Sequence, residues 1–370
     1  MVLYSLLSPI SMVFIVIILG YYLGRIKILK VSLGLSGVLI VAVFVGWFLA
    51  VITPWKTIAD IEEYQSYMKF FSTFGTALFV STIGISTGST LDLHNRKNVK
   101  AVLVGSLMVV SAFVTMRIIS MIDKNITISK LLGSLCGALT TTPGLSAACE
   151  LKNVASEEVV LGYGCTYIFG VIATVLFVQI TTRKLTSVPQ NSSQKELQVN
   201  QNTAALSGLI QIGCTVILGR IIGSVEILNF SLGNSGGMLC GGMIIGFIVK
   251  KTFQKNLLTT KELTPFRNLG LALFLVGNGI PAGMQFCGEF DIKIIIYGIL
   301  MTLFPIAIGV ILNKLFFKEG LTALIIAGGM TSTPAVAVLN TKYSNICLST
   351  YASAYFGALL TVVILISYVI

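Results

Sequence analysis

Two short stretches, Thr140-Thr141-Thr142-Pro143-Gly144 and Thr331-Ser332-Thr333-Pro334-Ala335, place hydroxyls and a proline inside otherwise apolar segments. Thr142 and Thr333 are natural N-caps, and Pro143 and Pro334 natural first-turn residues, so each stretch predicts the start of a half-helix. A helix start exposes unpaired N–H groups and about half a positive charge, weakly screened in apolar surroundings. Two such starts approaching each other make a place for an anion with one or two carboxylates. The hydroxyls of Thr140, Thr141, Thr331 and Ser332 add donors, while Gly144 and Ala335 leave room for close approach. The plainer alternative is a Thr-rich break that only kinks a helix, its hydroxyls satisfying the freed carbonyls. Two occurrences in register, with matched prolines, favour the site.

Other polar residues in apolar segments widen the candidate set. Ser81 and Thr82, followed by Ser86 and Thr87, and Asn278 in the matching stretch predict a second pair of discontinuous spans. Asn278 and Gln285 are amide candidates for substrate contact, or simply hold helices together. Tyr163/Tyr167 and Tyr351/Tyr355, each at i, i+4, share one helix face; an interfacial aromatic belt is the alternative use. Hydroxyls and free carbonyls at helix breaks can also coordinate Na⁺ as a coupling ion. No metal site is otherwise implied, and no Asp or Glu stands in the middle of a predicted span, which disfavours cation/proton exchange. There is no Ser/His/Asp set, H-E-x-x-H or Walker loop, and the single histidine, His94, sits in a basic loop. Enzymatic function therefore has no candidate residues.

The elements that must carry these residues follow from composition. Mean hydropathy is +0.92, 55% of residues are hydrophobic and 11% charged, which requires lipid around most of the surface. The chain reads as an all-α polytopic membrane protein. Its net charge of +11 comes from short loops between apolar runs, a topology signal rather than a nucleic-acid surface. The seven cysteines form no C-x-x-C and read as small core residues. The N-terminus lacks the basic region of a cleavable signal peptide.

Twelve apolar segments fall into two halves, residues 1–180 and 204–370, joined by the polar linker 181–203. The halves are copies. LGRI at 23–26 recurs at 218–221, SLGLSG at 32–37 as SLGNSG at 231–236, and GTALFVSTIGISTG at 75–88 aligns without a gap with GLALFLVGNGIPAG at 270–283. GALTTTPGLSAA at 137–148 matches GGMTSTPAVAVL at 328–339, and YGCTYIFG at 163–170 matches YASAYFG at 351–357. If every segment crosses, the lysine-rich 250–267 loop lies outside and Glu150, Glu157 and Glu158 inside, against the positive-inside rule. If the TTTP and TSTP segments are re-entrant hairpins, most basic loops fall in the cytoplasm. The expectation is two inverted repeats, each of five transmembrane helices plus one hairpin, with both termini extracytoplasmic and the linker cytoplasmic.

The paired TTTP and TSTP elements, the Y-x-x-x-Y helices after them and the G-x-ALF-x(4)-GI-x(2)-G pairs resemble the aspartate:alanine exchanger family of bacterial inner membranes. The resemblance spans both halves, without the large cytoplasmic regulatory insertion common there and with Tyr167-Ile168 and Tyr355-Phe356 where a Tyr-Pro step is expected. It implies alternating-access exchange of amino acids such as aspartate and alanine, or of dicarboxylates, by elevator or rocking motion. It further implies no organic cofactor, a small anionic or zwitterionic substrate, and possible homodimers. Sodium-coupled symport, a passive channel and a membrane-embedded interaction partner remain as alternatives.

Overall fold

The computed structural model describes residues 8–28, 31–32, 35–52, 58–91, 94–183, 201–225, 233–253, 260–284, 292–317, 321–332, 335, 339 and 345–369. Thr333, Pro334 and Gln285 lie outside the described residues, as does linker segment 184–200. The first half holds α1 (Pro9–Gly24), α2 (Ser36–Ile52), α3 (Ile58–Thr90), α4 (Arg96–Ile122), α5 (Ile128–Ala138), α6 (Thr142–Cys149) and α7 (Ser156–Thr182). The second holds α8 (Gln201–Gly223), α9 (Gly233–Phe253), α10 (Thr260–Met284), α11 (Ile292–Phe316), α12 (Thr322–Gly329) and α13 (Asn345–Ser367). Two two-residue strands, β1 (Lys27–Ile28) and β2 (Val31–Ser32), pair antiparallel between α1 and α2.

Capping explains several starts. Ser8 accepts from the Ser11 N–H ahead of Pro9, Asn95 from the Lys97 N–H, and Thr127 from the Lys130 N–H, each satisfying a donor the helix cannot. Glu157 and Glu158 occupy the first turn of α7, where the dipole favours anions. Among the described residues five helices are long and apolar enough to cross a membrane, within α3, α4, α7, α11 and α13. On α4, Leu103, Leu107, Val110, Val114, Ile118 and Met121 are exposed, while Ala101, Val104, Met108, Ala112 and Met116 are buried. Both faces are apolar, which suits lipid on one side and protein on the other.

The halves pack in matched pairs. α3 packs on α9 as α10 packs on α2, α4 on α13 as α11 on α7, and α5 on α7 as α12 on α13. Where α3 crosses α10 the contact is reciprocal. A Cβ on Gly75 would lie 2.6 Å from the Gly270 carbonyl oxygen, and one on Gly270 would lie 2.8 Å from that of Gly75. Only glycine admits such an approach of two backbones. Likewise Gly137 abuts the backbone of Tyr163 and Tyr167, and Gly328 that of Tyr351 and Tyr355.

Two expectations need correction. The stretches 75–88 and 270–283 are unbroken helix inside α3 and α10, with Pro281 accommodated near the end of α10. Their glycines serve helix crossing, and hydroxyls such as that of Thr82, which donates to the Phe79 carbonyl at 2.8 Å, bond back to their own helix. Among the described residues the discontinuity lies at the two Thr-rich breaks. The LGRI strings also pair the wrong turn. Gly37 lies on Gly24 as Gly237 lies on Gly223, so Gly24 matches Gly223 rather than Gly219, and Gly37 matches Gly237 rather than the Gly236 of the SLGNSG string. Glycines one turn apart on one helix face let a string match slide without changing the face.

Candidate functional site

Each break is a helix ending followed by a turn of the same form. After α5, the Thr140 N–H donates to the Gly137 carbonyl and the Thr141 N–H to that of Cys136; after α12, Thr331 donates to Gly328 and Ser332 to Ala327. This is the Schellman pattern, whose pivotal residue is left-handed and usually glycine. Here it is threonine, with φ 54° at Thr140 and 47° at Thr331, the two positive-φ non-glycine residues among those described. A β-branched residue in that region costs about 1–2 kcal/mol.

The strained rotation aims each hydroxyl across to the other half. Thr140 Oγ1 donates to the Met330 carbonyl at 2.6 Å, and Thr331 Oγ1 donates to the Leu139 carbonyl at 2.9 Å. Both acceptors are end-of-helix carbonyls, and Thr140 and Thr331 are buried. A buried carbonyl left unpaired costs about 1–3 kcal/mol and a hydrogen bond nets about 0.5–1.5 kcal/mol. Together these offset the strain. The two breaks therefore hold each other in a reciprocal clasp at the centre of the molecule.

After the first clasp residue, Thr141 is the N-cap of α6: extended, fully buried, and accepting from the Gly144 N–H at 3.2 Å. The cap was expected at Thr142 with Pro143 following. The turn instead ends one residue earlier, so Thr142 and Pro143 take the first two helical positions. A Cβ on Gly144 would meet Thr141 Cγ2 at 2.7 Å, so this glycine makes room for the cap rather than for a ligand. Tyr163, 2% exposed, hydrogen-bonds to Thr142, and its ring lies 4.9 Å from that of Tyr167. Tyr351 and Tyr355 pair similarly at 5.8 Å. Tyr163 and Tyr355 are buried, which excludes an interfacial belt for them. In the second break Ser332 is fully buried and its hydroxyl has no hydrogen-bond partner among the described residues; Ala335 is helical and buried.

Between α3, α6, α10 and the start of α7 lies a cleft of about 490 Å³. Asn278 lines it, donating to Ser72 Oγ at 2.6 Å and to the Phe274 carbonyl at 2.9 Å. Its amide thus ties α10 to α3 while bordering the cleft. From α6 the lining begins at Ser146, one turn beyond Thr142; Ser81 and Thr82 are buried in α3 away from it. The cleft also exposes residues that the sequence did not single out. Lys69, Thr76 and Glu150 line it. Ser146 Oγ donates to Thr76 Oγ1 at 3.2 Å and shares a 2.7 Å hydrogen bond with Ser235 Oγ. Ser235 donates its N–H to Glu150 Oε2 at 2.9 Å and its hydroxyl to Oε1 at 2.6 Å. Glu150 thus binds the first turn of α9. Only a fold that brings residues 76, 146, 150 and 235 together exposes this group.

A family model described as a predicted permease membrane region matches residues 12–183 and 211–370. The chain belongs to the aspartate:alanine exchanger family. Relatives include uncharacterized transporters of Bacteroides fragilis, 30% identical over 188 residues, and of Bacteroides thetaiotaomicron, 32% identical over 189 residues. Each alignment covers 51% of this chain and 32% of the relative. A Geobacter sulfurreducens relative is 32% identical over 207 residues, 52% of this chain and 34% of its own length. The matched part of this chain thus spans about a third of these curated relatives.

Proposed function

We propose that this chain is the membrane part of a secondary transporter that exchanges small carboxylate-bearing solutes, amino acids or dicarboxylates, by alternating access. The observation that carries the reading is the clasp. Two helix breaks meet at the centre of a bundle otherwise built to face lipid, and irregular backbone at that depth is tolerated only inside protein or beside a cavity. The relatives' naming as transporters agrees with it. The proposed binding region runs from the α6 start at Thr141 and Thr142, past Ser146, to the cleft wall at Lys69 and Asn278. On the opposite side, half-buried Arg267 of α10 lies within electrostatic reach of Tyr351 and Tyr355. Both sides thus offer a cation, as a carboxylate requires.

The inverted arrangement and orientation belong to the same proposal. A cysteine placed in 184–200 should label only from the cytoplasm, and cysteines at 154 and 344 from opposite sides; same-side labelling would mean parallel repeats.

Counterflow in proteoliposomes with a panel of amino acids and dicarboxylates tests the transport reading. Internal unlabelled solute should accelerate uptake of labelled solute. Flux that neither saturates nor responds to solute on the other side would mean a channel. Sodium-coupled symport is the second reading, motivated by the buried Ser332 hydroxyl, which has no partner among the described residues and could ligate Na⁺. Uptake that depends on external Na⁺ would replace exchange with it.

A further inference from the structure

Arg25 stands at the end of α1 and turns its side chain back along that helix. An arginine at the end of an apolar segment ordinarily extends away from it, toward water. Here one guanidinium N–H donates to Tyr21 Oη at 2.9 Å, and the guanidinium carbon lies 4.7 Å from the centre of the Tyr21 ring and 5.9 Å from that of Tyr22. Tyr21 is one turn back toward the middle of α1, so the charge is held over the apolar part of the helix. The two rings stand edge to face at 6.0 Å, and all three residues are exposed. Ring contacts and the helix dipole alone could hold the arginine there. They leave four of its five N–H groups to other acceptors and its charge uncompensated. Among the described residues no carboxylate lies within 4.0 Å of Arg25, and Lys27 and Lys30 follow it closely in the chain.

An exposed apolar stripe leads up to this cation. Ile10, Phe14 and Ile18 follow one another at one-turn intervals, and Tyr21 and Tyr22 continue the line to Arg25. Val13, Val16 and Gly20 are buried on another face, Gly20 against Val38 of α2. From Ile10 to Tyr21 the helix rises about 16 Å, half of a hydrocarbon core about 30 Å thick. The stripe therefore matches the acyl region of one leaflet, with the guanidinium at its headgroup end. We propose that Arg25, clamped by Tyr21 and Tyr22, binds the phosphate of an anionic glycerophospholipid whose acyl chain lies along Ile10, Phe14 and Ile18. The planar guanidinium suits two phosphate oxygens at once. The surrounding positive charge disfavours a zwitterionic headgroup, whose amine it repels.

The other half lacks the clamp. With Gly24 matched to Gly223, the residues at the positions of Tyr21, Tyr22 and Arg25 are Arg220, Ile221 and Ser224. A cation is present there, one turn earlier, but neither tyrosine. The helix crossing common to both halves thus does not require the tyrosine clamp, and the inverted arrangement proposed above assigns the lipid site to one leaflet only.

Native mass spectrometry of the full chain released from detergent tests this, with phosphatidylglycerol and phosphatidylcholine of identical acyl chains. The unmodified chain should bind phosphatidylglycerol more tightly. Arg25→Gln should weaken that binding by roughly fivefold, the worth of one basic residue at an anionic surface, and leave phosphatidylcholine binding unchanged. Tyr21→Phe keeps the ring but releases the guanidinium, so it should lose less; Arg220→Gln should lose nothing. Thermal unfolding without added lipid should be alike in all of them, because these side chains are exposed. Equal binding of the two lipids, or binding unmoved by Arg25→Gln, would overturn the proposal. An equal loss in Arg220→Gln would mean a diffuse effect of charge and overturn it as well. So would full competition by soluble glycerol phosphate, which would make the occupant a small anion rather than a lipid. No readout here involves transport, so failure of the lipid site and failure of the exchange reading are told apart.

Discussion

The two helix breaks share a turn and differ in what they hold. Both end a helix on a left-handed threonine and send its hydroxyl to the other's carbonyl. Beyond that clasp, α6 carries Ser146, hydrogen-bonded into a chain that reaches Thr76 on one side and Glu150 on the other. At the matched sequence positions the second half has Leu271, Ala337 and Thr341, which cannot build that chain. The matched position of Ser72 on the cleft wall is Arg267. The clasp is thus common to both halves, while charge and hydroxyls have diverged between the two sides. An approximate symmetry serves to bring the breaks together; the differences give each side its own chemistry.

Breaking the shared part should have the largest effects. Gly75→Ala and Gly270→Ala force a Cβ against the opposing backbone and should each destabilise the protein by about 1–3 kcal/mol or more, by similar amounts, in thermal unfolding in detergent. Clearly unequal losses would mean that the α3–α10 crossing is not reciprocal.

Thr140→Val and Thr331→Val keep the branched Cβ but remove the donor, leaving a buried carbonyl unpaired. Each should cost about 1–3 kcal/mol, and the pair should be non-additive because both act on one clasp. Thr140→Gly sharpens the point. It loses the same hydrogen bond but relieves the left-handed strain, so it should unfold at a higher temperature than Thr140→Val. If valine were tolerated better than glycine, the hydroxyl would not be holding the turn.

Thr141→Ala removes the α6 cap and should cost about 1 kcal/mol while weakening solute affinity in the counterflow assay. Stability lost with affinity unchanged would detach the half-helix start from the binding region. The smallest effect separates the sides. Ser146→Ala should lose about 0.5–1.5 kcal/mol, whereas Ala337→Ser should gain nothing, since the sequence has Leu271 and Thr341 where the first half has Thr76 and Glu150. A stabilising Ala337→Ser would mean that the two sides are more alike than their residues suggest.

The duplication and the location of the breaks were legible from residue order alone. Seven identities in fourteen positions and a proline behind each Thr-rich run are local signals, because a helix cannot continue through that chemistry without an ending. The Tyr163/Tyr167 and Tyr351/Tyr355 pairs were legible for the same reason, as their spacing alone sets a shared face. The unbroken course of α3 and α10 was not, since a glycine that opens a helix and one that admits a neighbouring backbone look identical in a string.

What sequence by itself determined, then, is the lipid-facing composition, the repeat and the two interruptions, all of which depend on neighbours within a few turns. Only the tertiary structure decided that the threonines at 140 and 331 are strained toward each other, and that Glu150 bonds to Ser235 in the first turn of α9. Those facts join residues separated by 190, 192 and 85 positions. Hydrogen bonds depend on distance and angle at the donor, and over such separations the fold alone sets both.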